Sequence, residues 1–209
     1  MESMLDLSKF AATGLNRDPF DFLVVPGFLK AETIEAIHQD YPRVDRPGSF
    51  PLESQSYGPA FARLIDELRG EPVREAFEQK FGIDLTGRPT MFTVRGRCAE
   101  KDGGIHTDSV TKIITVLLYM NPKWEESGGQ LRLLRSGTDL DNYILEVPPE
   151  EGTLLCFRRS ENSWHGHKPF VGPRRVIQMN WVTSRKVLNY ENRRHRISAA
   201  LKKIWLRAS

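Results

Sequence analysis

The chain has 209 residues, of which 39% are hydrophobic and 27% are charged, with a formal net charge of +3. This is the composition of an ordinary globular domain, and so small a charge does not indicate a nucleic-acid partner. No apolar run approaches the ~20 residues that span a bilayer, and the N-terminus lacks the pattern of a signal peptide. We therefore expect a cytoplasmic, single-domain protein without a membrane partner, in which Cys98 and Cys156 are free thiols.

Helical periodicity dominates residues 1–88. Apolar residues recur three and four positions apart in KAETIEAIHQDY and in YGPAFARLIDELRG. In EPVREAFEQKFG, a proline near the start and a glycine after the end delimit another helix. Residues 43–58 are rich in Pro, Gly and Ser, which predicts a loop. We predict that residues 1–88 form mainly helical support.

The hydrophobic period changes to two from about residue 89. Strand-like segments separated by turn residues follow one another as MFTVRGR, KIITVLLYMN, GQLRLLR, NYILEV, TLLCFRR and RRVIQMNWVTS. Consecutive short strands predict a β-sandwich or barrel over residues 89–184, and helices followed by strands predict the α+β class. Residues 185–209 are predicted to form a basic amphipathic helix, with Ile197, Leu201 and Trp205 on one face.

Two side chains that could bind a metal stand two positions apart in GGIHTDS. On an extended segment, His106 and Asp108 point to the same face, so both can reach one ion. The other histidines outside the predicted helices are His165 and His167, either of which could supply a third ligand. Two histidines and one carboxylate form the facial triad of non-haem Fe(II) oxygenases. The pair alone is a weak signal, because surface pairs of this kind are common.

Four motifs occur in a fixed order between about residues 89 and 184. They read HTDSVTKIITVLLYMNPKW, GGQLRLL, VPPEEGTLLCFRRSENSWHGHKPF and GPRRVIQMNW. The ordered set resembles the 2-oxoglutarate/Fe(II)-dependent oxygenases of the prolyl 4-hydroxylase type, and FLVVPGFLKAETIEAI at 22–37 resembles their lead-in strand and helix. The resemblance implies a double-stranded β-helix (jelly-roll) core in a single oxygenase domain over 1–209. It also implies Fe(II) and 2-oxoglutarate as cofactors, with ascorbate as an optional reductant, and O₂ as cosubstrate.

The resemblance also distinguishes between the two distal histidines. The family's motif Ser-x-His-x-x-x-Pro matches Ser163, His165 and Pro169, which implies that His165 is the third ligand beside His106 and Asp108. His167 then stands where an apolar residue is usual. We interpret it as a side chain near the site that orders a ligand or contacts the substrate.

The arginines at 174 and 175 lie on opposite faces of a predicted strand. Arg175 shares its face with Ile177, Met179 and Trp181, and we expect this apolar face to be the barrel interior. In the family, an arginine six residues before an aromatic residue binds the far carboxylate of 2-oxoglutarate, which implies this role for Arg175. Arg174 is then expected to be solvated, although a bulge at Gly172-Pro173 would exchange the two faces. Tyr119 matches a position whose hydroxyl bonds the same carboxylate, with an ordinary core tyrosine as the alternative.

The resemblance implies hydroxylation of an unactivated C–H bond, with release of succinate and CO₂. Related halogenases carry a small residue where this chain has Asp108, so the carboxylate argues against halogenation. A small-molecule, amino-acid-like or peptidyl substrate is expected. A small molecule is slightly favoured, because the chain shows no extra recognition domain. The 43–58 loop and the 98–105 turn are expected to set specificity, since function is often carried by loops on a rigid scaffold.

Some alternatives remain open at the level of sequence. Arg95 and Arg97 lie where the family often has a tyrosine. Either both belong to a solvated edge strand, or one of them faces an anionic substrate or the cosubstrate. A cupin-like metal enzyme that does not use 2-oxoglutarate is a second enzyme class. A non-catalytic β-sandwich binding module with a basic tail is a third class of protein.

Overall fold

The computed structural model describes residues 2–190 and Arg193. The described helices are α1 (Leu7–Ala12), α2 (Ala31–Gln39), α3 (Pro59–Arg69) and α4 (Glu71–Phe81), and residues 185–190 are also helical. The strands are β1 (Phe22–Val25), β2 (Phe50–Pro51), β3 (Thr90–Cys98), β4 (Lys112–Tyr119), β5 (Leu131–Leu134), β6 (Tyr143–Val147), β7 (Leu154–Arg158), β8 (His165–Gly166) and β9 (Gly172–Val182).

The strands form two antiparallel sheets. The large sheet has the order β1-β7-β4-β9-β3-β2, and the small sheet has the order β6-β5-β8. A backbone bridge between His106 and His165 adds the segment before β4 to the small sheet, next to β8. Apolar side chains from both sheets, including Leu133 and Phe157, pack into one shared cluster. The α+β class and the jelly-roll core predicted from the sequence are confirmed.

The helices cover the outer face of the large sheet. In α4, Val73, Phe77 and Phe81 are buried on one side, and the helix ends at Gly82 in the left-handed conformation, with φ of 63°. Phe77 packs against Trp181 of β9, with 4.8 Å between ring centroids. The large sheet is therefore buried on both faces, by the helices on one side and by the small sheet on the other.

The N-terminal part contributes more than helices. Residues 1–88 supply β1 and β2, which form the two edges of the large sheet. The predicted lead-in strand and helix correspond to β1 and α2. The apolar face expected around Ile197, Leu201 and Trp205 lies outside the described residues. Cys98 and Cys156 are buried free thiols, as predicted.

None of the helices within the described residues has the length and apolarity that a membrane span requires.

Candidate active site

A cavity of about 340 Å³ lies between the two sheets. Strands β3, β4 and β9 form one wall, and the His106 segment and β8 form the opposite wall. Ser49 and Gly103 also line it, so each of the two loops predicted to set specificity reaches the cavity. The cavity volume suits a site for small molecules.

Three side chains bring potential metal ligands together in this cavity. Donor atoms of His106, Asp108 and His165 all lie within 4.8 Å of one another. The two histidines are held side by side by the backbone bridge, in which each N–H donates to the other's carbonyl at 3.0 Å. His106 and Asp108 lie two residues apart and face the cavity together, as the sequence predicts.

The hydrogen bonds of the two imidazoles determine which nitrogen is available to a metal. Nδ1 of His106 lies 2.9 Å from the Gly104 carbonyl, and Nδ1 of His165 lies 3.0 Å from the Ser163 carbonyl. A nitrogen facing a carbonyl must donate, so Nε2 of each ring carries the free lone pair. Burial lowers the pKa of His165 to about 4, so its ring is neutral at pH 7, as a ligand must be.

Asp108 is buried and receives hydrogen bonds on both oxygens. Lys112 Nζ lies 2.6 Å from Oδ1, and the Thr115 hydroxyl donates to Oδ2. Asn180 Nδ2 donates to Thr115 Oγ1 at 2.8 Å, and Gln178 Nε2 donates to Asn180 Oδ1 at 3.1 Å. Burial alone would raise the pKa of Asp108, but Lys112, His165 and Thr115 outweigh it and hold the pKa below its ordinary value. The carboxylate is therefore ionised and fixed in orientation.

The donor set fits one class of metal site. Two imidazoles and one carboxylate on the same side of an ion suit Fe(II) and leave positions on the other side for exogenous ligands. These residues define a non-haem iron centre of the facial-triad type.

Arg174 and Tyr119 form a buried polar end of the same inter-sheet space. Arg174 lines the cavity, and its guanidinium carbon lies 5.6 Å from the centroid of the Tyr119 ring. Arg174 Nε donates to the Gly129 carbonyl at 2.7 Å. Within the described part of the chain, Arg174 Nη2 and the Tyr119 hydroxyl are buried without a hydrogen-bond partner. Buried polar groups are normally satisfied, so these two donors fit an acidic ligand such as the far carboxylate of 2-oxoglutarate.

The prediction that Arg175 faces the cavity is wrong. Its side chain is exposed on the outer face of the large sheet, with Nη1 3.4 Å from His38 Nδ1 and the guanidinium over the Tyr41 ring at 5.4 Å. The sequence groups the residues of β9 correctly by face. However, the apolar face with Met179 packs against the helices, and the face with Arg174 lines the cavity. The expectation that Arg174 is solvated is wrong for the same reason.

His167 and Arg95 also line the cavity, but neither belongs to the group of metal ligands. Burial, together with the positive charges of Arg174 and Arg95, lowers the pKa of His167 to about 4. Arg95 donates to Asp102 Oδ2 at 2.8 Å and to Ser49 Oγ at 3.3 Å. Arg95 thus adopts the alternative orientation, toward the cavity, whereas Arg97 is not among the residues that line it.

Sequence reasoning did not single out the residues that support Asp108. Lys112 and Thr115 lie on β4, and Gln178 and Asn180 lie two apart on β9; all but Asn180 line the cavity. The sequence nevertheless contained one signal for these residues, which is the polarity of Gln178 and Asn180. Gln178 and Asn180 share a face with Arg174, whereas Ile177, Met179 and Trp181 on the other face are apolar, and polar residues facing a closed space indicate a site.

Comparison with known proteins agrees with this geometry. Residues 96–183 match the family model of the 2OG-Fe(II) oxygenase superfamily. The matched residues contain the His106, Asp108 and His165 triad. The family match and the triad together identify this core as that of an Fe(II)- and 2-oxoglutarate-dependent dioxygenase.

Solved structures share the fold at low sequence identity. A Pseudomonas putida prolyl-4-hydroxylase is 17% identical, with a TM-score of 0.52 over 85% of this chain and 93% of that chain. The viral collagen prolyl hydroxylase vCPH from Paramecium Bursaria Chlorella virus-1, in a 2OG complex, is 15% identical, with a TM-score of 0.53 over 78% and 96%. HygX from Streptomyces hygroscopicus, with iron bound, is 18% identical, with a TM-score of 0.53 over 86% of each chain. No curated protein matches the chain.

Proposed function

We propose that the protein hydroxylates an unactivated C–H bond of a small-molecule, amino-acid-like or peptidyl substrate and converts 2-oxoglutarate to succinate and CO₂. One observation carries the proposal. The triad of His106, Asp108 and His165 and the unpaired donors of Arg174 and Tyr119 lie between the same two sheets. The chain therefore offers one subsite for iron and another for a carboxylate.

Each residue has a distinct task in this reaction. His106 and His165 present Nε2, and Asp108 presents a carboxylate whose orientation Thr115 fixes. Bound Fe(II), with O₂ and 2-oxoglutarate, supplies the oxidising chemistry. Asp108 occupies the ligand position that halogenation would need to leave free, which favours hydroxylation.

Arg174, rather than Arg175, is assigned to the far carboxylate of 2-oxoglutarate. Its Nη2 is buried and unpaired among the described residues, and the planar guanidinium suits a carboxylate. Burial raises the pKa of Tyr119 to about 12, so its hydroxyl stays protonated and can donate to the same carboxylate.

The reaction is tested by supplying Fe(II), 2-oxoglutarate and O₂ with a panel of amino acids, small metabolites and proline-containing peptides. We expect one class of compound to gain one oxygen atom, seen as a mass increase of 16 Da, with an equal amount of succinate. Asp108→Ala is expected to abolish both products, because the iron loses its anionic ligand. A product that lost two hydrogens without gaining oxygen would contradict the proposal.

A further inference from the structure

Lys112 is a cation on the cavity wall whose partner is also a metal ligand. Its ammonium lies 2.6 Å from Asp108 Oδ1, and its side chain is 16% exposed. Asp108 is the only acidic residue among the described residues that line the cavity. When Asp108 binds iron, its single negative charge is divided between Lys112 and a divalent cation.

The charges of the loaded site do not balance. The two charges of iron and the two charges of 2-oxoglutarate cancel each other. Asp108 offsets one of the two cations Lys112 and Arg174, and Asp102 offsets Arg95. One positive charge is left over in a largely enclosed space, where an unpaired charge is costly.

Lys112, which shares Asp108 with the iron, lies far from the carboxylate subsite. In the register of the sheet, Lys112 of β4 lies opposite Val182 of β9. Arg174 lies on β9, eight residues before Val182. At about 3.3 Å per residue, the two Cα atoms are roughly 25 Å apart along the strand. A carboxylate held by Arg174 and Tyr119 is therefore out of reach of Lys112, which lies at the metal end of the cavity.

We propose that Lys112 binds a carboxylate or phosphate group of the substrate, so that the substrate is an anionic small molecule. This inference rests on the proposed function. Because Lys112 touches Asp108, the anionic group lies close to the iron, and the oxidised carbon lies within a few bonds of that group.

The experiment measures binding and needs no turnover. Protein loaded with Fe(II) and 2-oxoglutarate under argon is mixed with a deproteinised metabolite extract, and retained compounds are identified by mass spectrometry after ultrafiltration. Lys112→Gln removes the charge but keeps a donor toward Asp108, and Lys112→Arg keeps the charge. Lys123→Gln is the matched control, because Lys123 is an exposed lysine whose partner is Glu125.

We expect the wild type, Lys112→Arg and Lys123→Gln to retain the same anionic compound. Lys112→Gln is expected to bind it roughly 10- to 100-fold more weakly, the usual effect of losing a hydrogen bond to a charged group. The exact mass and the fragments of the retained compound show whether its anionic group is a carboxylate or a phosphate.

Several results would overturn the inference. These are retention of neutral or cationic compounds alone, equal retention by the wild type and Lys112→Gln, or loss of 2-oxoglutarate from Lys112→Gln, which would assign Lys112 to the cosubstrate. Retention of 2-oxoglutarate is measured in the same samples. A wild type that retains 2-oxoglutarate but no anion contradicts this inference alone, whereas one that fails to retain 2-oxoglutarate contradicts the proposed function.

Discussion

Adjacent residues can have entirely different environments, as Arg174 and Arg175 show. Arg174 is 5% exposed and its guanidinium lies beside Tyr119, whereas the guanidinium of Arg175 lies outside the sheet against His38 and Tyr41. Alternation along the strand predicts that they differ, but it does not predict which one is inside. The more apolar face of a strand indicates the interior only where the other face meets water, and β9 is buried on both faces.

Arg174→Met is expected to weaken 2-oxoglutarate binding about 100-fold, because a buried charge-assisted pair is lost. Arg175→Met, the same change one position along, should leave the dissociation constant within about two-fold. Calorimetric titration of the anaerobic Fe(II) protein with 2-oxoglutarate gives both values. If Arg175→Met had the larger effect, the assignment from the structure would be wrong.

Thr115 affects the metal without touching it. Its hydroxyl donates to Asp108 and accepts from Asn180, so Thr115→Val removes both bonds at nearly constant volume. We expect the affinity for Fe(II) to fall about 10- to 100-fold, the usual effect of losing a partner of a ligand. Competition with a chelator dye measures it, and the exposed Thr138→Val serves as the control. Equal affinities in the two variants would show that Asp108 needs no such support.

At the level of elements, the 98–105 turn is fixed by a close packing contact. Gly103 has a φ of 95°, and a side chain there would overlap the His167 ring, which lines the cavity. The sequence predicts the turn and its place near the site from its glycines and charges. The contact with His167 joins residues 64 positions apart, and no local pattern encodes such a contact.

Gly103→Ala is expected to lower the free energy of unfolding by about 1–3 kcal/mol more than Gly87→Ala. Both glycines have positive φ, but a Cβ at Gly87 would have nothing within 4 Å. The difference therefore reports the steric contact with His167 together with the greater backbone strain at a φ of 95° than at 69°. Urea unfolding followed by circular dichroism measures both values, and equal losses would mean that His167 moves aside freely.

At the scale of the whole molecule, order along the chain was the most informative property of the sequence. Helices followed by strands predicted the α+β class, and the ordered motifs predicted the jelly roll and its triad. The pairing of β4 with both β7 and β9 was not predictable, because register depends on side chains far apart in sequence. That register is what places Asn180 opposite Thr115 and thereby completes the support of Asp108.

Iron is expected to raise the melting temperature, because its ligands come from both layers. His165 belongs to the small sheet, whereas Thr115 and Asn180 anchor Asp108 to the large sheet. Saturation at 100 times the dissociation constant adds about 2.7 kcal/mol to stability. Differential scanning fluorimetry with Fe(II) and then with excess chelator measures the shift. His165→Ala should lose it, and His38→Ala, a change outside the triad, should keep it.

The bridge between His106 and His165 has a consequence for how the site tolerates mutation. The spacing of the two imidazoles is inherited from main-chain pairing, in which each residue both donates and accepts. Substitutions at 105, 107 and 164 are therefore expected to leave the distance between the two imidazoles unchanged. Gly166 is the exception, because a Cβ there would press on the Gly103 carbonyl. The metal centre can thus persist while the surrounding pocket diversifies toward new substrates.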